Sequence, residues 1–250
     1  MHLVAQQGVA APGETLRQFY LTLLGSFGPQ GWWPARTRLQ VILGAILTQN
    51  TNWRNATLAL KNLRKGGLLV WHGLRLAGLK ELEHCVRPAG FYRQKARTIH
   101  DFADWLERTH GGSFDSLFSL HPTQSRRQLL SLKGIGPETA DAILLYAGRQ
   151  PLFVSDAYTR RVLSRHDLIP AQADYGFTQQ FLHRHLPPDQ AMFNEFHALL
   201  VEAAKRYCRG AAARCEECPL RKFLAVRDQG LPVPVPMLPG RELTHANESA

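Results

Sequence analysis

The sequence predicts an all-α protein, and three observations carry that prediction. Apolar residues recur at helical spacing in nine segments, no run alternates apolar and polar residues as a half-buried strand would, and Gly or Pro clusters mark the joints. The first segment, residues 15–24, places Leu16, Phe19, Tyr20 and Leu23 three and four apart. Residues 39–47 are apolar nearly all round, the pattern of a helix buried on every side. Helical periodicity continues through 56–63, 95–106, 126–132, 138–147, 157–164, 175–186 and 193–207. The joints are Gly66-Gly67, Pro88-Ala89-Gly90, Gly111-Gly112 and Pro187-Pro188. Near the end the character changes. Three prolines alternate with apolar residues over 231–236 and the rest is polar, so 226–250 reads as an extended, disordered tail.

With 250 residues, 44% hydrophobic and 20% charged, the chain holds enough apolar material for one ordinary domain or two small lobes. Its 30 Lys and Arg against 20 acids leave a net charge of +10, which favours a polyanionic partner, most often nucleic acid. Anionic membrane is the competing partner, but the longest apolar run, residues 41–47, is far too short to span a bilayer. The chain opens with no basic segment followed by an apolar core, so no secretory signal is expected, and a cytoplasmic, nucleoid-associated location in a prokaryote is. Four cysteines are too few for a secreted disulfide scaffold. Three of them, Cys208, Cys215 and Cys218, crowd together, which favours a metal or cluster site in a reducing compartment. Cys85 stands apart and has a plain role available as a small buried hydrophobe.

The segment Leu132-Lys133-Gly134-Ile135-Gly136-Pro137-Glu138-Thr139-Ala140 is the most informative. Helical periodicity precedes and follows it. Two glycines two apart let the backbone turn sharply and approach a ligand closely. Pro137 suits the first turn of a helix, where its missing N–H costs nothing. The donors exposed at that helix start suit a phosphate oxygen. An ordinary tight helix–helix turn is the alternative. Flanked by helices and closing on Pro-Glu-Thr-Ala-Asp, the segment resembles the hairpin of helix-hairpin-helix DNA-binding proteins.

Eighteen residues past Glu138 comes Ser155-Asp156-Ala157. By itself, Ser155 or Asp156 reads as the cap of the following helix. Together, the hairpin and this acid resemble the hairpin and aspartate of the base-excision DNA glycosylases that include endonuclease III. In that family the aspartate is catalytic, which the resemblance places at Asp156. A fixed anion suits the chemistry, because cleaving an N-glycosidic bond builds positive charge on the sugar. Bifunctional members carry a lysine two residues after the second hairpin glycine, and it attacks C1′ as an amine. That position is Glu138 here, which cannot form a Schiff base. The resemblance therefore implies a monofunctional enzyme with water as nucleophile. Glu138 itself reads more simply as a first-turn acid complementing the helix dipole.

The same resemblance gives Gln49, in Leu47-Thr48-Gln49-Asn50-Thr51, the task of entering the gap left by a flipped nucleotide. A polar helix end is the alternative reading. Trp32, Trp33, Pro34 and Trp53 form an aromatic-rich stretch around it. With Cys85-Val86-Arg87-Pro88-Ala89-Gly90-Phe91-Tyr92, these segments look most like the 3-methyladenine DNA glycosylase III group. That similarity implies a base pocket lined by Trp33, Pro34 and Trp53. A cationic, electron-poor alkylated purine stacks well on indole, though tryptophans are equally good core material. Arg87, Arg93, Lys95 and Arg97 are candidate phosphate contacts or a solvated basic face.

Endonuclease III relatives follow Cys-x6-Cys-x2-Cys with a fourth cysteine after five more residues, and the four hold a 4Fe–4S cluster. This chain has Cys208, Cys215 and Cys218 at those spacings but Leu224 in the fourth place. A non-cysteine ligand such as Asp228, a decayed metal-free loop, and zinc on three thiolates with His or Asp are the alternatives. Lys205 and Arg206 add positive charge beside the loop.

Over residues 15–222 the resemblance implies two lobes with the active cleft between them. One is a helical barrel over 37–151; the other joins 1–36 to 152–225 and carries the cysteine loop. It implies a monomer acting on double-stranded DNA with damaged bases, by hydrolytic removal of alkylated purines such as 3-methyladenine. Alternatives are an endonuclease III-like glycosylase for oxidised pyrimidines and a non-catalytic helix-hairpin-helix DNA-binding protein. An adenine-mismatch glycosylase also lacks the hairpin lysine, but no extra recognition domain is legible here.

Overall fold

The structure, a computed structural model, describes residues 11–209 and 213–224. The tail over 226–250 and Asp228 lie outside them. All regular structure in the described residues is helical. In chain order the α-helices are α1 (Pro12–Phe27), α2 (Arg38–Leu47), α3 (Trp53–Lys65), α4 (Trp71–Leu76), α5 (Leu79–Val86), α6 (Tyr92–His110), α7 (Phe114–Phe118), α8 (Pro122–Leu130), α9 (Pro137–Ala142), α10 (Ala157–Arg165), α11 (Tyr175–His185) and α12 (Gln190–Arg206). No helix among the described residues is long and apolar enough to cross a membrane.

Local chemistry sets where these helices begin. Side-chain oxygens of Thr37, Asn52, Ser113, Asp156, Asp174 and Asp189 accept from backbone N–H groups at the starts of α2, α3, α7, α10, α11 and α12. Each satisfies an amide that has no partner inside its own helix. Pro12, Pro122 and Pro137 open α1, α8 and α9, where no N–H is missed.

The described residues divide into two compact units, one of residues 33–154 and one of 11–32 with 155–224. In the first, α2 is the centre: every residue from Leu39 to Leu47 except Gln40 is buried, as its all-round apolar pattern predicts. It packs on α3, α6 and α9. In the second unit α12 is the spine, against α1 and α10, with Phe19, Phe193 and Phe196 fully buried. Burying such a side chain contributes about 1.5–3 kcal/mol.

Segment 138–147, read as one helix, changes geometry midway. The α-helix ends at Ala142 and a π-helical turn runs over Ile143–Ala147. Such turns are rare and cluster at functional sites. This one carries Tyr146.

Candidate functional site

The hairpin between α8 and α9 is built on one buried anchor. Ile135 is buried, while Lys133, Gly134, Gly136, Pro137 and Glu138 are exposed. Gly134 has φ +91°, and a Cβ there would overlap Oγ1 of Thr98. Only glycine fits. Thr98 on α6 also donates to the carbonyl of Lys133 at 3.4 Å. Gly136 is extended, with open space where a Cβ would stand. The backbone there can be approached from outside. Behind the hairpin, Arg126 of α8 grips the fully buried Asp141 of α9 through two bonds of 2.7 and 3.2 Å, locking the two helices.

Gln49 faces this hairpin. Its Nε2 donates to the carbonyl of Gly134 at 3.0 Å and to Oγ1 of Thr139 at 2.8 Å. The amide expected to reach into DNA thus braces the hairpin to the end of α2. Its neighbour Asn50 is exposed, in the left-handed region at φ +50°. Asn tolerates that conformation better than most residues.

Lys95 departs from its expected role as a phosphate contact. It is 4% exposed, and its Nζ donates to the carbonyls of Leu47 and Ala89 at 2.8 and 2.7 Å. Burial pulls its pKa down to about 8. Lys95 therefore ties the end of α2 to the turn before α6 and faces away from solvent. Arg87, Arg93 and Arg97 are exposed as expected, and the first two lie over the ring of Tyr92. Between them Phe91 is 63% exposed at φ +45°, a conformation costly for a bulky side chain. Sequence reading missed Phe91 because positive φ at a non-glycine residue leaves no pattern.

Trp33 packs on Gly44 of α2, which has no Cβ to obstruct the indole. Trp53 meets Trp33 at 5.3 Å in an edge arrangement, and Tyr146 approaches Trp33 at the same distance. All three residues are partly buried. Trp33 and Trp53 are thus brought together as expected. Pro34 is exposed beside Trp33, and Tyr146 is the member that sequence reading did not find.

In the other unit, Asp156 caps α10: Oδ1 accepts from the N–H of Thr159 at 2.8 Å. Oδ2 lies 3.4 Å from Nε2 of His197 on α12. Both side chains are largely withdrawn from solvent, at 13% and 8% exposure. Burial opposes ionisation of Asp156. Electrostatic attraction to His197, its hydrogen bond, and the Thr159 contacts outweigh that, holding the carboxyl below its ordinary range. His197 was not legible as a partner of Asp156, since the two are 41 residues apart in sequence.

Cys208, Cys215 and Cys218 line one recess, together with Arg165, His166, Tyr207, Arg221 and Leu224. Burial pushes the Cys218 thiol up, and neighbouring Cys208 and Cys215 add to this. Arg165 donates to Sγ of Cys208 at 2.9 Å. Among the described residues no group of three or more His, Cys, Asp or Glu is placed to hold a single metal ion. Three thiols lining one recess are the donor chemistry that iron–sulfur clusters use. Leu224 lines the same recess and offers no donor.

An all-helical arrangement of the described residues, with a glycine hairpin joining two helices, defines a helix-hairpin-helix protein. Residues 43–188 match the HhH-GPD superfamily of base excision DNA repair proteins, and the chain belongs to that family as an endonuclease III-like DNA glycosylase. A Methanocaldococcus jannaschii protein, provisionally named a DNA repair glycosylase, is 39% identical over 211 residues, covering 84% of this chain and 96% of its own. The H. pylori 3-methyladenine DNA glycosylase bound to 1,N6-ethenoadenine is 29% identical, with TM-score 0.67 over 78% of this chain and 97% of that one. A trapped endonuclease III–DNA intermediate shares the fold at 20% identity, with TM-score 0.72 over 85% and 95% of the two chains.

Proposed function

We propose that this glycosylase is monofunctional and hydrolyses the N-glycosidic bond of alkylated purines such as 3-methyladenine in duplex DNA. The observation that carries the substrate class is the partly buried group of Trp33, Trp53 and Tyr146, an electron-rich set of rings suited to a cationic base. The similar H. pylori enzyme, solved with a modified adenine, supports it. Glu138 in the lysine position carries the absence of lyase chemistry.

In this reading the target base leaves the stack. The hairpin backbone at Gly134 to Gly136 holds a phosphate, anchored by Ile135 and flanked by Lys133. Gln49 holds the hairpin in place, and Asn50, exposed at its left-handed corner, is the amide that fills the gap. Phe91 supplies an apolar wedge against the stack. Asp156 is ionised. As the C1′–N bond breaks, its electron pair passes to the base and charge grows on the sugar, which the carboxylate stabilises. Water adds to C1′ and gives its proton to Asp156. The three cysteines would hold a 4Fe–4S cluster that shapes the loop for DNA contact and takes no part in the hydrolysis.

The test is release of free base from methylated duplex DNA by the wild type and by Asp156→Asn. Release that requires Asp156 and leaves intact abasic strands, with no borohydride-trapped adduct, is the expected result. A trapped adduct would end the monofunctional reading. Release of oxidised pyrimidines in place of 3-methyladenine would transfer the assignment to the endonuclease III type. DNA binding with no release from any damaged substrate would leave only the binding-protein reading.

A further inference from the structure

We propose that Nδ1 of His166 is the fourth ligand of an iron–sulfur cluster whose other ligands are Cys208, Cys215 and Cys218. The inference rests on the cluster reading above and names the donor that Leu224 does not provide. His166 follows the last residue of α10 and lines the same recess as the three cysteines. Its Nδ1 is buried and has no hydrogen-bond partner among the described residues. A buried ring nitrogen without a partner carries a real cost, and bonding to iron removes it.

An imidazole that carries its proton on Nε2 leaves the lone pair of Nδ1 free for iron. Phe19 meets the imidazole edge-on at 4.8 Å and fixes its plane. In the same recess, the Arg165 guanidinium donates to Sγ of Cys208 at 2.9 Å. Three thiolates and one imidazole complete a four-donor set without Leu224.

The experiment is pulsed EPR on the full chain, purified anaerobically with its iron and sulfide measured, carrying 15N-labelled histidine and reduced. Strong coupling of the cluster spin to one histidine nitrogen is expected, and it needs no variant that could fail to fold. His166→Cys should keep the cluster, lose the coupling and shift the reduction potential downward, since imidazole in place of thiolate raises it. His166→Ala should lose cluster iron, and adding Leu224→Cys to it should restore a cluster without the coupling. A wild-type cluster with no nitrogen coupling, or an unchanged spectrum and potential in His166→Ala, overturns His166 as ligand and leaves the cluster reading standing. Absence of iron and sulfide, or zinc alone, overturns both.

Discussion

Asp156 carries a structural task and a chemical one on different oxygens. Oδ1 caps α10 and Oδ2 faces His197. Asparagine caps a helix as well as aspartate does, whereas alanine loses about 1 kcal/mol. Asp156→Asn should therefore keep the cap, lose only the stability that the charge contributes, and release no base, while Asp156→Ala should lose the cap as well and unfold at the lower urea midpoint. If both variants keep activity, the carboxylate is only a cap. The acid-side behaviour follows from its partners. A carboxyl held below its ordinary value of 3.8 contributes stability above that value and loses it as pH falls through the lowered folded-state pKa. His197→Gln removes the attraction that depresses it. In 13C NMR titrations the Asp156 carboxyl should titrate below 3.8 in the wild type and measurably higher in His197→Gln. An unchanged midpoint would mean the imidazole does not act on it.

At the scale of elements, the hairpin offers a paired test of structure against contact. Gly134→Ala puts a methyl group into Thr98 at φ +91° and should cost on the order of 1–3 kcal/mol in chemical denaturation. Gly136→Ala meets open space and an extended backbone, so stability should change by only a few tenths of a kcal/mol. Its effect should appear in DNA affinity, where the methyl obstructs the phosphate. Equal affinity for the wild type and Gly136→Ala would remove the hairpin from the interface. The hairpin was legible because glycine spacing and proline placement are local, and α1, α2 and α3 were legible because their apolar stripes are long. The short α4, α5 and α7 were not, since helices of five to eight residues depend on what they pack against. Nor was the π turn at Ile143–Ala147, whose residues fit an α-helical pattern equally well. Lys95 and His197 did leave a trace. Lys95 is four residues before Ile99 and seven before Phe102, and His197 is four after Phe193 and three before Leu200, so each falls on a buried stripe. A polar residue on such a stripe is a signal that it has a buried partner.

For the whole molecule, the net charge of +10 draws the chain toward DNA from any direction, but it does not count the contacts made on arrival. The salt dependence of binding does. Each phosphate neutralised releases counterions, so log K falls with log salt by about 0.9 per contact on duplex DNA. Arg97 is exposed on α6, one turn beyond Arg93, on the helix that braces the hairpin through Thr98. Arg17 is exposed on α1 and paired with Glu14 at 3.0 Å. Both substitutions to alanine remove one positive charge and alter the net charge equally. If charge acts only through the general field, the two variants should lose affinity alike and keep the wild-type slope. If Arg97 meets a phosphate, Arg97→Ala should flatten the slope by about one and Arg17→Ala should leave it unchanged. Fluorescence anisotropy on one undamaged duplex, across a salt series, separates these outcomes. Equal slopes for all three proteins would return Arg97 to the solvated face that its sequence pattern equally allows.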